Sequence, residues 1–408
     1  MPYLHADEFS GIRSDDMSLS GPGVDKFPAL FSAGEIRGVE LSNRSVVSPM
    51  TRTSATEDGV VSKQMADYYA SYARGGWGLV MTEGVYIDLK YSQGYSYQPG
   101  IATDEQRDSW GKVVDAVHAE GVPIFMQIFH CGAMNQGNHW IEGSIAPSVI
   151  SPKGKQIPRY RGSGDVFQTP REITYQEISE VVSSYGAAAR RAIEIGFDGV
   201  EVHGANGYLP DEFLTAYTNQ RDDEYGGPIE NRIRFHCEIM QAVREAVLDN
   251  PVGVRISQTK VNDFEYSWPG GTDDAKVVFS LLAKTGIDFI DCSSHLGLDP
   301  VFGTENSLSG LARKYSGLPI MANGKLDRPE DAETALLQGE GDFVAIGKSA
   351  LADCNWPRKI VADKPRVPFN PGMIMPYATL DCYEDFMAKN PTGIPAKKIE
   401  ARDVTEGA

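Results

Sequence analysis

Three polar side chains stand within six residues of one another in the segment EVHGANGYLPDEFL, residues 201–214. His203, Asn206 and Tyr208 follow a run typical of a buried strand, and Pro210 with two acidic residues then indicates the start of a helix. An imidazole, an amide and a phenol in this position must form hydrogen bonds with one another, with water or with a ligand. The choice depends on what the rest of the chain places around them.

Eight short runs of β-branched and aromatic residues, each bounded by turn residues, predict strands that are buried on both faces. They lie at residues 45–50, 78–84, 123–129, 199–204, 252–257, 287–293, 319–324 and 342–347. Amphipathic helical patterns lie between most of them, at residues 105–121, 173–196, 232–247, 273–286 and 328–339. This alternation indicates an α/β protein with a parallel sheet, and eight strands suffice to close a (β/α)₈ TIM barrel. A doubly wound open sheet is the alternative, although no GxGxxG follows an early strand.

We expect the barrel to span residues 27–370, after a flexible N-terminal arm at residues 1–26 that is rich in Ser, Gly and Asp. Residues 371–408 are expected to form an extension packed on or near the barrel. The segment between the third and fourth predicted strands is too long for a plain connection and is dense in Gly, Pro and Ser. Its residues 134–170 are therefore predicted to form a lid over one end of the barrel.

The composition excludes several kinds of partner. With 56 acidic and 38 basic residues the net charge is −18, which argues against nucleic acid or an anionic membrane as a partner. The five cysteines are scattered and form no CxxC, so neither a zinc site nor an iron–sulfur cluster is indicated. No secretory signal and no run long enough for a membrane helix is found. We expect a cytoplasmic, soluble protein that acts on a small molecule; its oligomeric state stays open.

In a barrel of this kind the chemistry lies at the carboxyl ends of the strands. The residues predicted there are Pro49, Met50, Thr51, Arg52, Thr82, Glu83, Gly84, Gln127, Phe129, His130, His203, Asn206, Tyr208, Arg255, Ser257, Asn323, Gly324, Gly347, Lys348 and Ser349. No pair of carboxylates, Ser–His–Asp set or metal-ligand cluster emerges, which argues against a glycosidase, an acyl-transfer enzyme and a metalloenzyme. Donors and neutral amides suit a planar, electron-accepting ligand with carbonyl and ring-nitrogen edges. The glycines and lysines after the last two strands fit a phosphate.

The segments SPMTR, QIFHCG, EVHGANGYLPDEFL, RDDEYGGPIENRIRF, VRIS, ANGKL and IGKSALAD, in this order, resemble the old yellow enzyme family. The likeness runs from about Phe27 to Asn370. It implies an FMN-binding (β/α)₈ barrel and NAD(P)H as the reductant, with NADPH favoured. The implied activity is that of an NADPH dehydrogenase or ene-reductase, which reduces the C=C bond of α,β-unsaturated carbonyl compounds by ping-pong hydride transfer.

The resemblance also implies contacts with the flavin. Thr51 is similar to the residue that bonds the flavin near its C4 oxygen, and Gln127 to the amide at the O2/N3 edge. Arg255 is similar to the cation beside N1 and O2, where negative charge develops on reduction. Gly324 and Lys348 would hold the phosphate. The further expected FMN contacts are Pro49, Met50, Gly84, Asn323 and Gly347.

The same resemblance gives the opening segment its chemistry. His203 and Asn206 would donate hydrogen bonds to the substrate carbonyl, and Tyr208 would deliver a proton to the α-carbon. Phe129 would line the substrate pocket, in a place where yeast and plant members have tryptophan. Lys348 stands where many relatives have arginine, so its phosphate contact would be a point charge. No metal is expected.

Other interpretations remain at this stage. Arg255 could form a salt bridge inside the barrel, with Glu201 a possible partner, and Tyr208 could be a packed aromatic. A phosphate-binding isomerase or aldolase without flavin would need a lysine or carboxylate base, and none is prominent on the middle strands. A flavin-dependent isomerase or non-catalytic flavin binder is a further alternative, against which the presence of Tyr208 argues.

Overall fold

A computed structural model describes residues 19–393. In chain order its strands are β1 (Gly34–Ile36), β2 (Val39–Leu41), β3 (Ser45–Val47), β4 (Leu79–Met81), β5 (Val85–Tyr86), β6 (Ile124–Phe129), β7 (Ile145–Ala146), β8 (Arg171–Glu172), β9 (Gly199–His203), β10 (Val252–Ile256), β11 (Phe289–Ser293), β12 (Ile320–Asn323) and β13 (Phe343–Ile346). Its helices are α1 (Pro22–Lys26), α2 (Lys63–Arg74), α3 (Asp104–Ser109), α4 (Gly111–His118), α5 (Tyr175–Glu194), α6 (Leu209–Leu214), α7 (Ile229–Arg232), α8 (Arg234–Val247), α9 (Thr272–Ala283), α10 (Leu308–Ser316), α11 (Pro329–Leu337), α12 (Lys348–Ala352), α13 (Trp356–Val361) and α14 (Leu380–Lys389).

Eight parallel strands form one closed sheet. Its order is β4-β3-β13-β12-β11-β10-β9-β6, and β4 pairs with β6 to complete the circle. The closing pair along the chain is β13 with β3, in which Val344 lies opposite Ser45. The predicted (β/α)₈ barrel is therefore confirmed, and the open doubly wound sheet is excluded. No described helix is long and apolar enough to cross a membrane.

The interior of the barrel is apolar near the amino ends of the strands. Side chains from six barrel strands and from the β1–β2 hairpin form one buried cluster there: Ile36, Leu41, Val46, Leu79, Met81, Phe125, Phe289, Met321, Phe343 and Ala345. Gly253 on β10 makes room for this packing, because a Cβ on it would lie 2.2 Å from the ring of Phe289. We call this cluster the barrel floor. It leaves the carboxyl ends of the strands free for polar residues.

Two predicted elements differ from the observed ones for local reasons. The predicted strand at residues 78–84 ends at Met81, and the backbone amide of Glu83 donates to the hydroxyl of Tyr69 on α2 instead of to a neighbouring strand. The predicted helix at residues 105–121 is divided at Trp110, which ends α3 and begins α4. Helices α2 and α10 were not among the predicted patterns.

The segment that the sequence predicts to be a lid forms an insertion between β6 and β9. Its short strands β7 and β8 pair in parallel, and its residues Tyr160 and Phe167 pack with Tyr95, Phe129 and Tyr208 at the barrel mouth. This insertion forms one wall of the space above the strand ends.

Both chain ends of the described part contact the barrel. Residues 1–18 of the predicted arm and 394–408 of the predicted extension lie outside the described residues. Helix α1 lies on α13, where a Cβ on Gly23 would meet the carbonyl of Ile360 at 2.2 Å. On the other side, the carbonyl of Thr379 accepts a hydrogen bond from Arg52, and Gln64 on α2 donates to α14.

Candidate active site

The segment that opens the sequence lies where β9 meets α6. His203 is the last residue of β9, and Tyr208 is the residue before the first turn of α6. Asn206 between them has a φ of 64°, a left-handed conformation that asparagine tolerates better than most residues. Two hydrogen bonds fix the backbone of this loop. The amide of Asn206 donates to Oγ of Ser257, and the amide of Gly207 donates to the carboxylate of Asp211.

The imidazole of His203 is held as a neutral hydrogen-bond donor. The backbone amide of Ala205 donates to its Nδ1 at 3.3 Å, so the ring proton belongs on Nε2. Burial, together with the nearby positive charge of Arg255, lowers the pKa of His203 from 6.5 to about 3. At neutral pH the ring therefore carries no charge and can donate through Nε2.

The amide of Asn206 has an orientation set by its neighbour. Oγ of Ser293, at the end of β11, donates to Oδ1 of Asn206 at 3.5 Å. This contact assigns the carbonyl side of the amide to Ser293 and leaves Nδ2 as the group that can donate to a ligand. His203 and Asn206 thus each retain an N–H donor on the same loop.

Tyr208 lies in an aromatic wall. Its ring makes edge contacts with Phe129 and His203, with centroids 4.5 and 4.8 Å away, and its hydroxyl forms a short hydrogen bond with the hydroxyl of Tyr95. Burial raises the pKa of Tyr208 and raises that of Tyr95. Both phenols are therefore protonated at neutral pH. Sequence reasoning missed Tyr95, since nothing in its own segment signals a contact 113 residues away.

Arg255 joins four elements at the barrel mouth. Its Nη1 donates to Asp291 at 2.7 Å and to Oγ of Ser48 at 3.3 Å, while Nη2 donates to Oγ of Ser293 and Oδ1 of Asn323. The ion-pair partner of Arg255 is thus Asp291 on β11, and the suggested pairing of Arg255 with Glu201 is wrong. The sequence signal for this partner was Asp291 itself, an acidic residue inside the largely apolar run IDFIDCS.

Glu201 instead receives a hydrogen bond from Gln127, whose Nε2 donates to its Oε1 at 2.7 Å. With Nε2 so committed, the carbonyl oxygen of Gln127 is the part of the amide that a ligand N–H could use. Gln127 and Arg255 lie on strands separated only by β9, and therefore on the same side of the barrel.

The first two strand ends also reach the mouth. Pro49, Met50 and Thr51 follow β3 and are half-buried, whereas Gly84 is buried beside the ring of Phe129, which would lie 3.2 Å from an added Cβ. Arg52 points elsewhere: its guanidinium donates to the carbonyl of Thr379 and lies over aromatic rings on the outer side of the barrel.

The predicted phosphate end is built from backbone and one lysine. Gly324 has a φ of 132°, and a Cβ on it would lie 2.4 Å from the carbonyl of Ser294, so a side chain is excluded by the neighbouring loop. At Gly347 an added Cβ would have no neighbour nearer than 3.9 Å, so a ligand can approach its backbone. Lys348 is exposed and lies over the ring of Phe369.

The model of the NADH:flavin oxidoreductase / NADH oxidase family matches residues 29–366. The chain belongs to this family. It is 35% identical over 345 residues to an NADH oxidase of Thermoanaerobacter brockii, covering 82% of this chain but only 50% of that protein. It is 36% identical over 336 residues to a probable flavin mononucleotide-dependent alkene reductase of Leishmania infantum, covering 81% and 89%. The structure of the old yellow enzyme homologue from Zymomonas mobilis superposes with a TM-score of 0.78 at 31% identity, covering 87% and 98%.

FMN is the flavin of this family, and the mouth residues fit it. Gln127 offers a carbonyl and Arg255 a cation, which match the N3–H and the N1/O2 side of the isoalloxazine. At the other end, the open space at Gly347 and the ammonium group of Lys348 match a phosphate.

Proposed function

We propose that this protein is an NAD(P)H-dependent ene-reductase that uses FMN to reduce the C=C bond of α,β-unsaturated carbonyl compounds. One molecule of NAD(P)H and one proton are consumed for each bond reduced, yielding NAD(P)⁺ and the saturated carbonyl compound. Bound FMN would supply the hydride chemistry that connects the nicotinamide with the β-carbon of the substrate. The named relatives, an NADH oxidase and an alkene reductase, support the two half-reactions.

The observation that carries the proposal is the pair of donors on the β9–α6 loop. With Nδ1 of His203 and Oδ1 of Asn206 both engaged by the protein, each side chain keeps an N–H for one substrate oxygen. Two hydrogen bonds to that oxygen withdraw electrons from the conjugated double bond and stabilise the enolate that forms. A neutral His203 suits this role because Nδ1 accepts from the amide of Ala205, which leaves Nε2–H as the single donor of the ring.

Tyr208 supplies the proton for the α-carbon in this proposal. Its high pKa keeps the phenol protonated until a strongly basic enolate carbon is present. Tyr95, bonded to the same hydroxyl, would hold the Tyr208 hydroxyl in place and stabilise it after the proton leaves. Phe129 packs against the Tyr208 ring, and we assign it the wall of the substrate pocket.

The cofactor contacts form the second part of the proposal. Arg255 would stabilise the negative charge that develops at the N1/O2 side on reduction, and Gln127 would accept from N3–H. Thr51 would bond near C4, with Pro49, Met50 and Gly84 beside the ring. The phosphate would lie on the backbone of Asn323, Gly324 and Gly347 with Lys348.

An anaerobic visible spectrum tests the whole proposal. We expect a flavin band that NADPH or NADH bleaches and that cyclohexenone restores, and the two bleaching rates give the coenzyme preference. No flavin band after reconstitution with FMN would overturn the cofactor assignment. A band that bleaches and is restored by oxygen but by no enone would overturn the ene-reductase activity alone.

The variant Tyr208→Phe tests the proton donor. General acid catalysis typically contributes at least about 100-fold, so we expect reoxidation by cyclohexenone to slow by that factor while bleaching by NADPH changes little. Tyr315→Phe on α10 is the matched control and should change neither rate. Equal slowing in both half-reactions would show a structural effect instead of lost proton transfer.

A further inference from the structure

The side chains just below the barrel mouth include two acids and one cation. Glu201 on β9 and Asp291 on β11 are both fully buried, and Arg255 lies on β10 between these strands. Arg255 is bonded to Asp291, whereas Glu201 is bonded to the neutral amide of Gln127 on β6. The groups that face Glu201 are thus Gln127, Arg255 and Asp291. The two carboxyl groups therefore share a single positive charge.

One oxygen of each acid has no donor. Oε2 of Glu201 and Oδ1 of Asp291 are buried without a hydrogen-bond partner, although the two carboxyl groups are within bonding reach of each other. Two carboxylates cannot bond to each other, but an acid and a carboxylate can. A single proton between these two oxygens therefore satisfies both at once.

The surroundings decide which acid holds that proton. Burial raises the pKa of Glu201 well above its usual range, and the charge of Asp291 adds to this. Burial also raises the pKa of Asp291, but Arg255 and the hydrogen bond from Glu201 act against that rise. The proton accordingly belongs on Glu201, and Asp291 is the ionised partner of Arg255.

We propose that Glu201 is a positioning residue that is a neutral carboxylic acid at neutral pH, donates its proton in a hydrogen bond to Asp291 and orients the amide of Gln127. Its carbonyl oxygen takes the N–H of Gln127, so the carbonyl of that amide is presented to the mouth. The acid proton also keeps Asp291 and Arg255 as a neutral pair, with no second negative charge below the ligand. The consequence for the flavin rests on the proposed function; the protonation of Glu201 does not.

Infrared difference spectroscopy of the FMN-free protein at pH 7 tests the proton directly. Subtracting the spectrum of Glu201→Gln from that of the unmodified protein should reveal one carboxylic-acid carbonyl band. Asp291→Asn should remove this band, because the negative charge that favours a neutral Glu201 is gone while the positive charge of Arg255 remains beside it. Exposed Glu142→Gln is the control and should reveal only a carboxylate band. A carboxylate band in the Glu201→Gln difference would overturn the proposal.

Reconstitution with FMN tests the positioning role. Gln at position 201 can still accept from Gln127 and donate to Asp291, so the dissociation constant of FMN and its midpoint potential should stay close to those of the unmodified protein. Glu201→Ala frees the amide of Gln127, and loss of one hydrogen bond should weaken FMN binding by roughly fivefold to tenfold. Equal binding by the Gln and Ala variants would overturn the positioning role. If the unmodified protein took up no FMN, the proposed function would fail, while the infrared result would still decide the proton.

Discussion

The two ends of the barrel interior are built from opposite kinds of side chain. The barrel floor at the amino ends is a closed set of aliphatic and aromatic groups, whereas the layer at the carboxyl ends is polar: Gln127, Glu201, Arg255, Asp291 and Asn323. Burying apolar surface stabilises the fold, while each buried polar atom left without a partner costs about 1–3 kcal/mol. The barrel floor therefore stabilises the fold, whereas the polar layer at the mouth includes buried oxygens without a partner, on Glu201 and Asp291.

Removing a ring from the floor should have the largest effect. We expect Phe289→Ala to lower the free energy of unfolding by about 3–5 kcal/mol, because it opens a cavity beside Gly253 and Phe125. Urea unfolding measures this change. Leu337→Ala on the surface of α11 is the control and should cost less than about 0.5 kcal/mol. Similar losses in both variants would contradict the assignment of stability to the floor.

Breaking the buried ion pair behind the mouth should have the next largest effect. Nζ of Lys260 pairs with Asp211 at 2.5 Å, and Asp211 also accepts from the amide of Gly207 in the site loop. Lys260→Met leaves the Asp211 carboxylate buried without its cation, so we expect a loss of about 3 kcal/mol in urea unfolding.

The double variant Lys260→Met/Asp211→Asn supplies the matched comparison. It removes both charges and keeps an acceptor for Gly207, so most of the lost stability should return. A double variant no more stable than Lys260→Met would show that the pair is not stabilised by its mutual charge.

The free energy of unfolding should depend on pH through a buried histidine near the mouth. Burial lowers the pKa of His236, which donates to the carbonyl of Gly204 at the start of the site loop, from 6.5 to about 4. The unfolded chain takes up this proton first, so the stabilising contribution is complete above pH 6.5 and is lost as the pH falls towards 4. The slope is at most about 1.4 kcal/mol per pH unit.

His236→Gln keeps a donor for Gly204 but cannot take up a proton. Urea unfolding at pH 7, 6, 5 and 4.5 should therefore show a shallower decline for the variant than for the unmodified protein. The exposed His139→Gln is the matched control and should leave the decline unchanged. Parallel curves for the unmodified protein and His236→Gln would refute the prediction.

The smallest effect is expected at the phosphate end. Lys348→Arg replaces a point charge by a planar guanidinium that can bond two phosphate oxygens. We expect FMN to bind more tightly by up to about tenfold, which corresponds to about 1.4 kcal/mol, in a fluorescence titration of the FMN-free protein. Unchanged or weaker binding would place the phosphate away from this side chain.

The sequence predicted the barrel well because its strands carry a strong local signal. Runs such as VGVRIS and DFVAIG contain their own β-branched residues and turn residues, so their position needs no knowledge of the fold. The loop with His203, Asn206 and Tyr208 was also found from local order. Contacts between distant segments were not predicted. The pairing of Arg255 with Asp291 and of Tyr208 with Tyr95 depends on which elements become neighbours in the folded barrel.

The orientation of single groups was likewise beyond the sequence. That His203 is neutral follows from its burial and from one backbone amide at Nδ1, and the direction of the Asn206 amide follows from Ser293 on another strand. The same holds for Gln127 and Glu201, whose residue types are visible in the sequence while the bond between them is not. Residue types can be read locally, whereas protonation and orientation are properties of the assembled barrel.

The pairing of β13 with β3 has a consequence for synthesis on the ribosome. Ser45 and Val344 are opposite each other across the closing seam, and the carboxylate of Glu333 accepts from the amides of Ala29 and Leu30. The edge of β3 that pairs with β13 therefore stays unpaired until almost the whole barrel has been translated. Contacts of such long sequence separation slow folding and expose strand edges to aggregation. The early strands of the nascent chain therefore expose unpaired edges for most of the time that translation takes.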